Sequence, residues 1–185
     1  IPFAQQNMII MNVPVQQGQM QEQYIMNTIT GAWCQFQGWD ANCWEVFNDS
    51  IYFGGNGFVG RAWHTNADDG SAITGTVQQA FNYFKPPGQQ KRFTMMRPIL
   101  LTNGSPSIQG AVNVDFNLAP PISNLSTLTI TGATWDSAVW DTDLWQDTLM
   151  VSKNWQGAIG IGMSGGVRLD TSTNGIQLQW VATDV

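Results

Sequence analysis

The sequence predicts an all-β protein in two parts, and three observations carry that prediction. From Gln23 to Trp63, short runs of β-branched and aromatic residues alternate with Gly and Asn turns at close, regular spacing. After the NADDG segment at 66–70 the runs lengthen and the turns become rarer. Near the end of the chain Ile176, Leu178 and Trp180 share one face of an extended segment, and Gln177 and Gln179 share the other. β-Branched and aromatic side chains suit a pleated, half-buried surface, Gly lets the chain turn back, and period-2 alternation marks a strand with one buried face. The boundary is placed between residues 1–66 and 67–185.

Taken in order, MIIMNVPV at 8–15 is an apolar run in which Pro14 marks an edge or a strand end. Residues 16–23 are amide-rich and turn at Gly18. Strands are predicted at 23–27, 32–37, 43–48, 50–54 and 58–64. The segments NTITGAW and NDSIYFGG have the look of strand-end turns in β-propeller blades. The strands suffice for one four-stranded blade and part of another, whereas a propeller needs several blades to close. The first part is therefore read as the end of a β-propeller, and the chain as an internal or processed piece of a longer protein.

Longer strands are predicted in the second part at 72–84, 91–102 and 107–117. VQQAFNYF also fits a helix, but Thr74, Thr76 and Val77 favour a strand. PPG at 86–88 and NGSP at 103–106 mark connections. Asn-Gly is a strong short-range hairpin signal, so 92–101 is expected to pair antiparallel with 108–116. Ala119-Pro120-Pro121 breaks the chain, Gly165-Gly166 is read as a turn into VRLD, and Asn174-Gly175 as a reversal into the last strand. Residues 67–185 read as a β-sandwich-like domain.

Composition narrows the function classes. Only 11% of the 185 residues are charged, against about 25% in an average soluble protein, and amides, hydroxyls and Gly carry the polar share. Charge is depleted in interface cores, so such a surface suits a protein covered by partners. Nine tryptophans point to filled cores or anchored interfaces. A net charge of −6 argues against a sequence-reading nucleic-acid binder, while an acidic wall suits DNA that passes without sticking. Cys34 and Cys43 are too few for a disulfide scaffold; one bridge between them is the alternative to the two free, buried thiols that are expected. No apolar run reaches the roughly 20 residues that a membrane helix needs, so no membrane insertion is expected.

The candidate sites are few. Trp135, Trp140 and Trp145 recur every five residues in WDSAVWDTDLW, a spacing that puts them on one side of neither a helix nor a strand. An irregular, tryptophan-pinned loop is expected there, either capping the core or anchoring a subunit interface. Asp136, Asp141, Asp143 and Asp147 lack the spacing and closing Glu of a calcium loop, and Asp68-Asp69 reads as a solvated turn; no metal is assigned. His64 is the only histidine and no G-x-S-x-G elbow occurs. With Glu22 and Glu45 the only glutamates, few carboxylate pairs suit glycoside cleavage. No catalytic residue or cofactor is assigned. The 28–33 turn resembles a sialidase Asp box, with Thr30 where that box carries Asp. Lys91, Arg92 and Arg97 in QQKRFTMMRP form the one basic cluster, read as solvated charges on a strand or as a rim facing a partner or DNA.

Taken together, QYIMNTITGAWCQFQGWDANCWEVFNDSIYFGG, AFNYF followed by GQQKRFTMMRPILL, NVDF, and the WDSAVWDTDLW repeat run in order through most of the chain. In this the chain resembles the propeller-containing tail hub proteins of short-tailed phages, also described as nozzle or packaged-DNA stabilisation proteins. The resemblance implies a homo-oligomeric ring, commonly of six subunits, below the portal and adaptor. It implies a virion protein assembled in the host cytoplasm, whose channel retains the genome and later passes it without reading its sequence. It implies no catalytic residues. The competing class is a carbohydrate-binding or depolymerase-type β protein that recognises host surface glycans, with exposed tryptophans as sugar platforms.

Overall fold

In the computed structural model, which describes residues 1–15, 20–125, 139–141 and 149–185, Asn48 and Asp49 form a two-residue reversal. Both have positive φ (47° and 56°), and the flanking residues Phe47 and Ser50 are paired. That is the two-residue turn whose twist matches the right-handed twist of its strands, and Asn and Asp tolerate the left-handed region it demands. The hairpin joins β5 (Cys43–Phe47) to β6 (Ser50–Gly54), and β7 (Val59–Arg61) completes a three-stranded antiparallel sheet in the order β5-β6-β7. The second sheet of this region runs β1 (Pro2–Phe3), β2 (Met8–Val13), β3 (Glu22–Asn27) and β4 (Trp33–Phe36), adjacent in sequence and in space.

The turn between β3 and β4 is built by Asn27. Its side-chain oxygen accepts the backbone N–H groups of Ile29 and Thr30, both at 3.0 Å, and its carbonyl accepts Gly31 N–H at 2.8 Å. Gly31 sits at φ +69°, where a side chain is strained. Residues 16–19, with the turn expected at Gly18, lie outside the described residues.

Ile1–Thr65 form one compact unit. Its core takes Ile10 and Ile25 from the four-stranded sheet and Ile51 from the three-stranded one, with Phe3 and Ala62. Trp39 lies among rings, stacked on Phe53 at 5.6 Å and 9°, and 5.2 Å from each of Phe36, Trp44 and Trp63. Asn12 ties β2 to the segment that enters β5: its amide donates to the Ala41 carbonyl at 2.8 Å and accepts the Trp44 indole N–H at 2.7 Å.

Asn66–Val185 form the second compact unit. Its strands are β8 (Ile73–Gln78), β9 (Lys91–Thr102), β10 (Ser107–Val114), β11 (Met150–Ser152), β12 (Gln156–Gly162), β13 (Gly165–Thr173) and β14 (Leu178–Asp184). One antiparallel sheet has the order β10-β13-β8. In the other, β9 is the centre: β11 and β12 pair with it in succession, and β14 pairs with it as well. Phe93, Met96 and Leu100 of β9 and Ala158 of β12 share one buried core with Ile108 and Val112 of β10 and Val167 and Leu169 of β13. All the sheets are antiparallel, and among the described residues there is no α-helix and no closed sheet.

Three sequence expectations in this unit are corrected. The Asn103-Gly104 hairpin does not form: β9 does not pair with β10, and the chain crosses from one sheet to the other. Neither residue has the positive φ that such a turn requires. The Asn103 side chain instead accepts Gln177 N–H at 2.8 Å, and Thr102 Oγ1 donates to the Gly104 carbonyl at 3.0 Å. Asn174-Gly175, by contrast, does turn the chain, with Gly175 at φ +69°, and leads from β13 in one sheet to β14 in the other. Gly165-Gly166 is strand, not turn; a Cβ on Gly165 would lie 2.6 Å from the Phe93 ring, and one on Gly166 would lie 2.8 Å from the Gln79 carbonyl oxygen. These glycines admit close approach. The strand expected over 72–84 stops at Gln78.

Candidate functional site

β9 carries the basic cluster, and the structure gives its three members different work. Lys91 Nζ donates to three carbonyls, of Pro86 (2.9 Å), Gln89 (3.0 Å) and Met163 (3.2 Å). It therefore ties loops together. The neighbouring Met163 and Ser164 N–H groups donate to Asp115 at 2.8 and 3.0 Å. The Ser164 bond is the largest cause holding the Asp115 carboxyl below the usual carboxylate range, with desolvation opposing it and the Met163 bond adding to it. Arg97 reaches Asp184 with Nε at 2.8 Å and Nη2 at 2.5 Å, and its guanidinium lies 4.8 Å from the centroid of the Trp155 ring. Arg92 is exposed and makes no hydrogen bond or ion pair among the described residues.

Five residues along a regular strand reverse the facing of a side chain, yet Arg92 and Arg97 both avoid the core. The change of facing coincides with an irregularity in the β9–β12 ladder, where the register shifts between Gly157 and Gly160 so that two residues of β12 stand opposite Thr94. Opposite it, Thr94 and Met95 are both exposed, while Phe93 and Met96 are both buried. Such bulges re-aim side chains and interrupt the pleat.

The result is a groove of about 450 Å³ lined by Phe84, Arg92, Phe93, Thr94, Met95 and Trp155, among others. Its parts are held from behind. Phe84 packs edge-on against Phe93 at 5.7 Å. The Phe84 N–H donates to the Asn82 side chain at 2.8 Å, and the backbone of Asn82 is bonded in both directions to Gly165. Phe84 and Lys85 both have positive φ, 46° and 38°. Two consecutive non-glycine residues in that region store backbone strain, which structures keep where surroundings over-determine it, often at functional sites. Trp155 is 48% exposed and is steadied by the Arg97–Asp184 pair.

Among the other sequence candidates, Trp140 lies in a turn and is 84% exposed. Trp135 and Trp145 lie outside the described residues, as do Asp136, Asp143 and Asp147. His64 is exposed, and among the described residues no cluster of three His, Cys, Asp or Glu side chains could hold a metal. Cys34 and Cys43 are free, as expected, but exposed where burial was expected, because β4 and β5 are edge strands. Partial desolvation still raises the Cys34 thiol pKa. Sequence reasoning missed Phe84, Thr94 and Trp155 as groove residues. The FKPPG break was legible as a loop, but the register shift of β12 opposite Thr94 was not. Comparison with family models, curated proteins and solved structures gives no match for this chain.

Proposed function

We propose that this chain is a structural subunit of a short-tailed phage tail, part of a hub or nozzle ring below the portal and adaptor. On this reading the first unit contributes blade-like sheets at the end of a propeller and the second a sandwich-like domain. The ring lines the channel that retains the packaged genome, and the subunit carries no catalytic centre. The observation that carries the reading is the amount of large apolar side chain at the surface of both units. Val59 is 77% exposed and Phe47 70% in the first, and Ile159 is 97% exposed in the second. Contact with neighbouring copies takes such side chains out of water. The low charge of the chain supports the same reading, since little else keeps such a subunit apart from its neighbours.

The test is mass in solution by sedimentation velocity, with negative-stain microscopy of the same sample and of virion extracts. A closed ring, commonly of six copies, is expected. A protein that stays monomeric at high concentration and in extracts refutes the reading. Hydrolysis of capsular polysaccharide or peptidoglycan, lost on replacing a carboxylate of this chain, refutes the absence of a catalytic centre. Trp140→Ala probes the predicted tryptophan anchor, where truncation at an interface costs on the order of 2 kcal/mol or more.

A further inference from the structure

We propose that the groove between β9, Phe84 and Trp155 binds an acidic saccharide, taking one carboxylate-bearing sugar residue, such as a hexuronate, against its aromatic walls. The proposal stands apart from the assembly reading, since a tail subunit and a soluble lectin could each carry such a groove. Recognition of a sugar acid needs an aromatic face for the C–H side of the ring, a bidentate cation for the carboxylate and a hydroxyl or amide for the sugar hydroxyls. All three are present within one concavity. Trp155 offers a half-exposed indole whose position is set by Arg97, and Arg97 is itself set by Asp184. Phe84 forms a second aromatic wall, 42% exposed and braced by Phe93. Arg92 has its guanidinium uncommitted among the described residues, and Thr94 presents its side chain at the bulge.

Charge chooses the ligand. Lys85, Lys91, Arg92, Arg97 and Lys153 are five of the seven cations of the chain, and all fall on or beside the groove-lining segments. Lys91 is spent on carbonyls and Arg97 on Asp184. Arg92 is the guanidinium left to take a carboxylate, while Lys85 and Lys153, both exposed and without a partner among the described residues, add positive charge beside it. A nucleic acid needs a track of cations along its phosphates, and a chain of net charge −6 does not supply one. The volume, about 450 Å³, is within the range of small-molecule sites and matches one or two sugar rings. The strained Phe84-Lys85 backbone is what puts the second ring on the rim, and strain of this kind is retained where the geometry is used.

The experiment titrates the full chain with a glucuronate-containing tetrasaccharide and, in parallel, with a neutral glucose tetrasaccharide and an Asp/Glu-rich hexapeptide. Binding is read by calorimetry and by tryptophan fluorescence. The acidic saccharide is expected to bind and to perturb the fluorescence, and the neutral one to bind at least about tenfold more weakly. Arg92→Met is expected to weaken the acidic sugar about tenfold or more and leave the neutral one unchanged, with Arg92→Lys between the two. Because Arg92 is exposed and bonds to none of the described residues, this variant keeps the parent circular dichroism and melting temperature. Trp155→Phe tests the platform and is expected to weaken both sugars. No binding of the acidic saccharide by the parent overturns the proposal, as does equal binding by parent and Arg92→Met. Binding of the acidic peptide alone also overturns it and reassigns the groove to a protein ligand.

Discussion

Replacing Asn12 by Ala tests how the first unit holds its two sheets in one core. The Asn12 side chain donates to the carbonyl of Ala41, which is fully buried, and accepts the Trp44 indole N–H; a longer contact of 3.4 Å reaches it from Gln23. Gln23 keeps its own bond to the Gln21 carbonyl at 2.8 Å, so the variant orphans chiefly the Ala41 carbonyl and the Trp44 N–H. Each well-formed bond contributes about 1 kcal/mol net, and an orphaned buried group costs about 1–3 kcal/mol. The expected loss is about 2–4 kcal/mol. A domain of this size has a total stability of about 3–10 kcal/mol, so the loss is a large fraction of it. The assay is urea unfolding followed by tryptophan fluorescence and near-ultraviolet circular dichroism, which report the Trp39–Trp44 ring cluster. Trp44→Phe removes the same N–H while keeping a ring, and the double variant closes a cycle with an expected coupling of about 0.5–3 kcal/mol. An Asn12→Ala variant within about 0.5 kcal/mol of the parent refutes the reasoning, and so does a cycle with no coupling.

Leu169, buried where both sheets of the second unit meet, is expected to cost about 3–5 kcal/mol on replacement by Ala, measured by urea unfolding of that unit. Gly165→Val is expected to displace the Phe93 ring, which a Cβ there would approach to 2.6 Å, and to destabilise the unit by about 2 kcal/mol or more while deforming the groove; an unchanged melting temperature contradicts this. The folded Asp115 carboxyl titrates below its unfolded value, so its contribution is present above about pH 4 and disappears as pH falls through the lowered folded value. Stability–pH curves of parent and Asp115→Asn are therefore expected to differ at neutral pH and to converge in acid. A thiol reagent is expected to titrate both Cys34 and Cys43 in the native protein, with the Cys34 reaction displaced to higher pH than an ordinary thiol, and a native count of zero contradicts the exposed edges.

The features legible in the residues alone are local ones. The Asn48-Asp49 reversal, the Asn27 turn, the strand at Lys91–Thr102 and the alternation of Leu178, Gln179 and Trp180 come from side-chain shape, turn chemistry and period, all carried by neighbouring residues. The all-β class comes from the same signals. Strand partners did not. Asn103-Gly104 carries the composition of a hairpin, yet β9 and β10 face each other across a core, because burying Phe93, Met96 and Leu100 against Ile108 and Val112 outweighs the local preference of two residues. The groove belongs to the same category. Its residues come from the loop after β8, from β9 and from the segment before β12, and they meet only because a ladder irregularity frees Thr94 and Met95 while Gly165 lets Phe93 settle behind them. Tertiary packing set those positions, since contacts between residues far apart in sequence depend on which faces can be buried together.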